Sequence, residues 1–175
     1  MIHEKGKLPV IFLKPGELYI GDQPGIVTTV LGSCVSVTLY SPRNRTAAIC
    51  HGMMPRWGEP ERCKGPHAER FKYVDYAVRY MMEAFRSFGI KPCEIEVKLF
   101  GGANLLSSAD DGGQHVSIGR QNVSTALEVM NEEGWIIARR DVGGTQGRKL
   151  HFYLHTGEVF VKKLEASEHS GIMML

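Results

Sequence analysis

The hydrophobic pattern changes period part-way along the chain, and the change sets out its elements. In the first third, apolar and β-branched residues come in short runs: Val10 to Leu13, Leu18 to Ile20, Ile26 to Val30, Cys34 to Tyr40 and Thr46 to Met53. Turn-forming clusters separate them, among them Lys14-Pro15-Gly16, Gly21-Asp22-Gln23-Pro24-Gly25 and Ser41-Pro42-Arg43-Asn44-Arg45, so the spacing predicts five strands. From Phe71 the period lengthens. Phe71, Val74, Val78, Met81, Phe85 and Phe88 stand three and four apart, the stripe of an amphipathic helix stopped by Gly89. Ile95, Val97 and Leu99 alternate as a strand running into Phe100-Gly101-Gly102-Ala103. Val123, Leu127 and Met130 mark a second helix ending near Gly134. Trp135 to Arg140 reads as a strand, and Leu150 to Leu154 with Glu158 to Leu164 as a hairpin around Thr156-Gly157. Two main helices against seven or eight strands, mostly joined by hairpins, predict an α+β fold: a mixed α/β sandwich of layered sheets, not a doubly wound parallel one.

Composition narrows the possibilities. The chain has 175 residues, 43% of them hydrophobic, which suits one domain over 1–175. Residues 165–175 read as a loose tail and Pro55 to Pro66 as a surface loop. A formal charge of +2 with dispersed basic residues gives no nucleic-acid footprint. No apolar run approaches the roughly 20 residues that span a bilayer, so no membrane insertion is expected. The first residues lack a signal-peptide layout, which predicts a cytoplasmic protein with reduced thiols. Cys34, Cys50, Cys63 and Cys93 form no C-x-x-C pair, and the histidines form no helical H-x-x-x-H, so neither a metal nor a cofactor is expected. Gly143 to Lys149 lacks phosphate-loop spacing and a following helix.

The chemistry lies between Thr28 and His51. Cys34 follows Leu31-Gly32-Ser33, where a glycine breaks a strand run. A tight turn at Gly32 would expose the thiol and free N–H groups around Gly32 and Ser33 for an oxyanion. His51 lies across the hairpin. With the turn centred between Pro42 and Arg43, Cys34 faces it directly; a register two residues away keeps both on one face, and a one-residue slip separates them. A thiolate–imidazolium pair is the expected resting state. Thr28 or Thr29 would hold the ring, and alternation allows only one of them on that face. The kink at Gly32 leaves the choice open.

The wording of these segments adds to that reading. Val27-Thr28-Thr29-Val30-Leu31-Gly32-Ser33-Cys34-Val35 and Ala48-Ile49-Cys50-His51-Gly52-Met53-Met54-Pro55 resemble the CheD family of chemoreceptor glutamine deamidases. So do Tyr73 to Ala77, Phe100-Gly101-Gly102-Ala103, Ile118-Gly119-Arg120-Gln121-Asn122, and Gly143-Gly144 with Gly147-Arg148-Lys149. The resemblance implies Cys34 as nucleophile, His51 as its base and Thr28, six residues before the cysteine, as the threonine that orients the ring. It implies a fold like that of the bacterial toxin deamidases, and chemoreceptor (methyl-accepting chemotaxis protein) cytoplasmic helices as substrate. It also implies a γ-glutamyl thioester intermediate, hydrolysis of receptor glutamate methyl esters as a second activity, and a CheC-type phosphatase as partner. Val30 stands where the family commonly has glycine, which questions the approach to Gly32. Phe100, Gly101 and Gly102 are expected to line the substrate surface. The alternatives are a non-enzymatic chemotaxis regulator or another cysteine amidohydrolase, such as a transglutaminase-like enzyme.

Overall fold

A computed structural model describes residues 7–58, 67–105 and 116–165, which form two sheets and two main helices. The strands are β1 (Val10–Phe12), β2 (Leu18–Gly21), β3 (Ile26–Leu31), β4 (Val35–Ser41), β5 (Thr46–Cys50), β6 (Glu96–Gly101), β7 (Ile137–Val142), β8 (Arg148–Tyr153) and β9 (Val159–Lys163). The helices are α1 (Val74–Ser87) and α2 (Ile118–Glu132). One sheet runs β1-β3-β8-β9 and the other β2-β5-β4-β6-β7. The tail expected at 165–175 lies outside the described residues from 166 on, as does the Pro55–Pro66 loop from 59 on.

The layers follow from side-chain parity. On β4, Val35, Val37 and Leu39 point to one face and pack with Ala48 and Cys50 of β5 against Val78, Met81 and Phe85 of α1 and Ala126 and Val129 of α2. The other face carries Tyr40, Ala47 and Ile49, which meet Val27 and Phe152 of the opposite sheet. The central five-stranded sheet is therefore buried on both sides, helices on one and the four-stranded sheet on the other. The layered α+β architecture matches the sequence reading.

Connectivity differs from it. Of the sequence-consecutive pairs only β4–β5 and β8–β9 are hairpins; β3 pairs with β8, and β1–β3 and β6–β7 are parallel. Periodicity says which residues share a face, but not which strand lies alongside. Phe88 also leaves the predicted stripe: it caps α1 and is 55% exposed. Gly89 and Gly134 follow the helices with left-handed φ of 74° and 70°, in keeping with their stop signals.

Candidate active site

The chain crosses from one sheet to the other at Gly32-Ser33-Cys34, between the end of β3 and the start of β4. These three residues are half-buried within an otherwise buried stretch. Cys34 rests against Leu31, Phe100 and Leu150 on the inter-sheet side and keeps part of its surface open. All three carbonyls of the crossover are tied down. Ala103 N–H donates to Gly32 O (2.9 Å), Gly102 N–H to Cys34 O (2.8 Å) and Asn122 Nδ2 to Ser33 O (3.0 Å).

His51 directly follows β5. The ladder closes at Ser41↔Thr46, runs to Thr38↔Ile49 and is resumed by a bridge Val35↔Gly52. The turn is thus centred one residue later than expected, because Pro42 to Arg45 form it, with Arg45 at φ 51°. Moving a turn centre by one residue shifts facing partners by two, which preserves the face. His51 stands opposite Ser36 and diagonal to Cys34, on the inter-sheet side that Ala47 and Ile49 occupy.

The ring is 2% exposed, and its Nδ1 lies 2.8 Å from Thr29 Oγ1. That hydroxyl also donates to Leu13 O at 2.8 Å. A hydroxyl has one hydrogen; having given it to Leu13, it can only accept from the imidazole. Nδ1 therefore carries the ring proton and Nε2 keeps its lone pair. Nε2 is buried and has no hydrogen-bond partner. The backbone is equally fixed: His51 N–H donates to Glu17 O and Gly16 N–H to His51 O, at 3.0 and 2.8 Å.

The threonine in contact with the ring is Thr29, whereas Thr28, implied by the family wording, makes its bond elsewhere. Along β3, Val27, Thr29 and Leu31 point between the sheets, and Thr28 points to the outer face, where its hydroxyl donates to Leu150 O at 3.0 Å. Parity holds throughout β3 because the kink begins only after Leu31. Thr29→Val should lower kcat by about 10–100-fold with KM nearly unchanged, and Thr29→Ser should restore most of it, if holding the ring is what the hydroxyl does. Thr28→Val should stay within about twofold of wild type. Steady-state ammonia release measures both; the reverse ranking would return the role to Thr28.

Burial also alters the expected charge state. Desolvation lowers the His51 pKa to about 4, against smaller upward effects of the Leu13 carbonyl and Glu17. It raises that of Cys34, partly offset by the residue's own N–H. Both shifts favour neutral thiol and neutral imidazole at rest, not the ion pair expected from the residue types alone. A consequence follows for stability. Between the ordinary 6.5 and about 4, the unfolded chain holds a proton that the folded ring refuses. Stability from this group is therefore full above 6.5 and should fall by about 3 kcal/mol as pH drops through that window. Urea titrations at several pH values should show this slope reduced in His51→Gln. The smaller part due to His151, whose pKa burial and Lys149 also lower, should persist. An unchanged slope in His51→Gln would contradict neutral burial of the ring.

The remaining sequence candidates fall as follows. Gly32 and Ser33 precede Cys34 in the crossover, and Gly32 has no left-handed φ; an added Cβ would meet Leu105 Cδ1 at 2.6 Å, the far end of a side chain. Phe100 and Gly101 are buried. They back the crossover from beneath. Gly102, also buried, contributes to the wall of a groove of about 330 Å³ with Asn104, Ser117 and Arg120. Val30 sits in regular strand on the outer face, paired with Lys149, and needs no glycine there. Cys50 lies in the helix-side core, its thiol pushed up to about 11 by burial. Sequence reasoning gave Asn122 no role, although an amide on the buried face it shares with Gly119, Thr125, Ala126, Val129 and Met130 was a usable signal. No group of three or more potential metal ligands occurs among the described residues.

Comparison with known proteins decides the family. The family model described as CheD chemotactic sensory transduction matches residues 53–163. A protein of Geobacter sulfurreducens named probable chemoreceptor glutamine deamidase CheD 2 is 47% identical over 93% of this chain and 94% of its own. The chain belongs to the CheD family. A probable chemoreceptor glutamine deamidase CheD of Maridesulfovibrio salexigens is 42% identical over 89% of this chain and 92% of its own. The family model begins at Met53, so only the longer alignments have room for Cys34 and His51. Among solved structures, the Bacillus licheniformis hypothetical protein YfiH is similar at TM-score 0.46 and 12% identity, over 73% of this chain and 51% of that one. No described helix of this CheD protein is long and apolar enough to cross a membrane.

Proposed function

We propose that this CheD protein deamidates glutamine side chains of chemoreceptor helices, with Cys34 as nucleophile and His51 as the base that serves it. The observation that carries the reading is the lock on the ring. Thr29 holds Nδ1, Nε2 is left with a free lone pair, and a half-open thiol lies on the same sheet face. Nε2 makes no hydrogen bond to the thiol in this structure, so the two would close up to pass a proton when an acyl carbon arrives. The names of the curated relatives support the choice of glutamine as substrate.

The reaction runs in two halves. The Cys34 sulfur bonds to the carboxamide carbon as its proton passes to His51 Nε2, and the carbonyl electron pair moves onto oxygen. The Cys34 N–H, next to its own sulfur, would hold that oxyanion. Collapse expels ammonia, which takes the proton from His51, and a γ-glutamyl thioester remains. Water then adds with His51 as base, and glutamate leaves as the thiol is restored. A glutamate methyl ester enters the same thioester with methanol as leaving group, which makes esterase activity a consequence of the same site. Exposed Met53, Met54 and Leu105 give the site an apolar rim suited to an amphipathic helix.

The test is incubation with receptor cytoplasmic fragments followed by peptide mass measurement. Each deamidated glutamine adds about one dalton, whereas a transglutaminase-like enzyme joins chains and a protease shortens them. A regulator acting through a CheC-type phosphatase would bind its partner and leave every glutamine intact, and that result would overturn the proposal.

A further inference from the structure

Asn122 has no hydrogen bond to the sulfur or the imidazole, yet it joins the two segments that carry them. It is fully buried on α2, and its Nδ2 donates to Ser33 O and to Met53 O, each at 3.0 Å. A primary amide nitrogen has two hydrogens, so these bonds use both. One acceptor belongs to the residue before Cys34, and the other lies two residues beyond His51. They are 89 and 69 positions away in sequence. A single side chain thus spans the ends of β4 and β5 where nucleophile and base sit.

The bond to Ser33 has a second effect. A peptide unit is planar and trans, so fixing the Ser33 carbonyl fixes the Cys34 N–H in the opposite direction. The carbonyls on either side, of Gly32 and Cys34, are held by backbone donors from Ala103 and Gly102. Ser33 O is the member of the crossover whose recorded bond comes from a side chain. Asn122 Oδ1 is buried without a partner, as suits an amide held in place for its donors.

We propose that Asn122 is a positioning residue: its amide sets the plane of the Ser33–Cys34 peptide and the spacing of the two strand ends, and so aims the Cys34 N–H at the oxyanion. The oxyanion part of this inference rests on the deamidase reading. The hold on the thiol does not.

The experiment compares wild type, Asn122→Ala, Asn122→Ser, the nearly isosteric Asn122→Asp, and Ala126→Gly, which loosens a buried position of the same helix without touching either carbonyl. Two quantities are read: kcat and KM on a receptor fragment, and the pH profile of Cys34 alkylation by iodoacetamide, which needs no receptor. In Asn122→Ala and Asn122→Asp, kcat should fall by about 30-fold with KM within about twofold, because sub-ångström misplacement acts on the chemical step. The alkylation midpoint should move up by about one pH unit as the N–H loses its aim. Asn122→Ser, which can reach at most one carbonyl, should lie between, and it carries the test with Asn122→Asp if the alanine variant does not fold. Ala126→Gly, at a similar loss of melting temperature, should keep wild-type kcat and alkylation.

A folded Asn122 variant with wild-type kcat and midpoint overturns the proposal, as does an Ala126→Gly variant showing the same changes. If the wild type leaves glutamines untouched while the alkylation midpoint still shifts in the Asn122 variants, the deamidase reading falls and the hold on the thiol stands. If it turns over and neither quantity changes, the reverse is true.

Discussion

Replacing Cys34 by alanine should bring glutamine turnover down to background, a loss of about 10⁴-fold or more, because no other group in the site can form the acyl bond. The change is small in volume and sits at a half-open position, so the fold should persist. His51→Ala should cost about 10³-fold: the thiol remains, but its pKa is already raised by burial and nothing is left to take its proton. The double variant should be scarcely worse than Cys34→Ala, since residues that act as one unit are not additive. Peptide mass and ammonia release measure all three. Retention of more than about a hundredth of wild-type activity in Cys34→Ala would remove the cysteine mechanism.

Gly101→Ala should be the most disruptive of the glycine substitutions at the crossover. Gly101 has φ +104°, a region that only glycine occupies readily, and a Cβ there would stand 2.2 Å from Cys34 O and 3.0 Å from Val35 Cα. Both neighbours are backbone. Gly101 is paired with Val35, and Gly102 N–H holds Cys34 O, so neither can retreat without opening the ladder. A loss of about 3 kcal/mol or more is expected, together with loss of turnover in whatever remains folded, because the displaced group is the carbonyl of Cys34, the proposed nucleophile. Gly32→Ala is the contrast, since its Cβ meets only the movable end of Leu105, and it should cost under about 1 kcal/mol. Urea denaturation of the two variants tests the ranking. Wild-type stability in Gly101→Ala would mean that the crossover does not depend on this close approach.

The two glycines also show why a motif and its physical role separate. Gly32 invited a reading of tight turning; the chain does bend at Gly32 and Ser33, but without a left-handed φ. The tight contact belongs to Gly101, some seventy positions on, because that is where a second strand comes up against the crossover. Val30, which stands where the family commonly has glycine, lies in regular strand before the bend.

Local pattern alone determined a good deal of this protein. Two-residue alternation put Cys34 with Ser36, Thr38 and Tyr40, and a hairpin turn of uncertain centre still placed His51 on the same face, because moving the centre shifts partners by two. The helical stripe of Phe71 to Phe85 and the glycine stops needed nothing beyond their own segments. Tertiary structure decided the rest: Thr29 and not Thr28 on the imidazole, Asn122 across both strand ends, and a burial that favours the neutral forms of Cys34 and His51 over an ionic pair. Each of those depends on groups brought from distant segments. The sheet partner of β3 comes from β8, the amide from α2, and the burial of His51 from its place between the two sheets. Periodicity is a property of neighbours in the chain; pairing and dielectric are properties of neighbours in space.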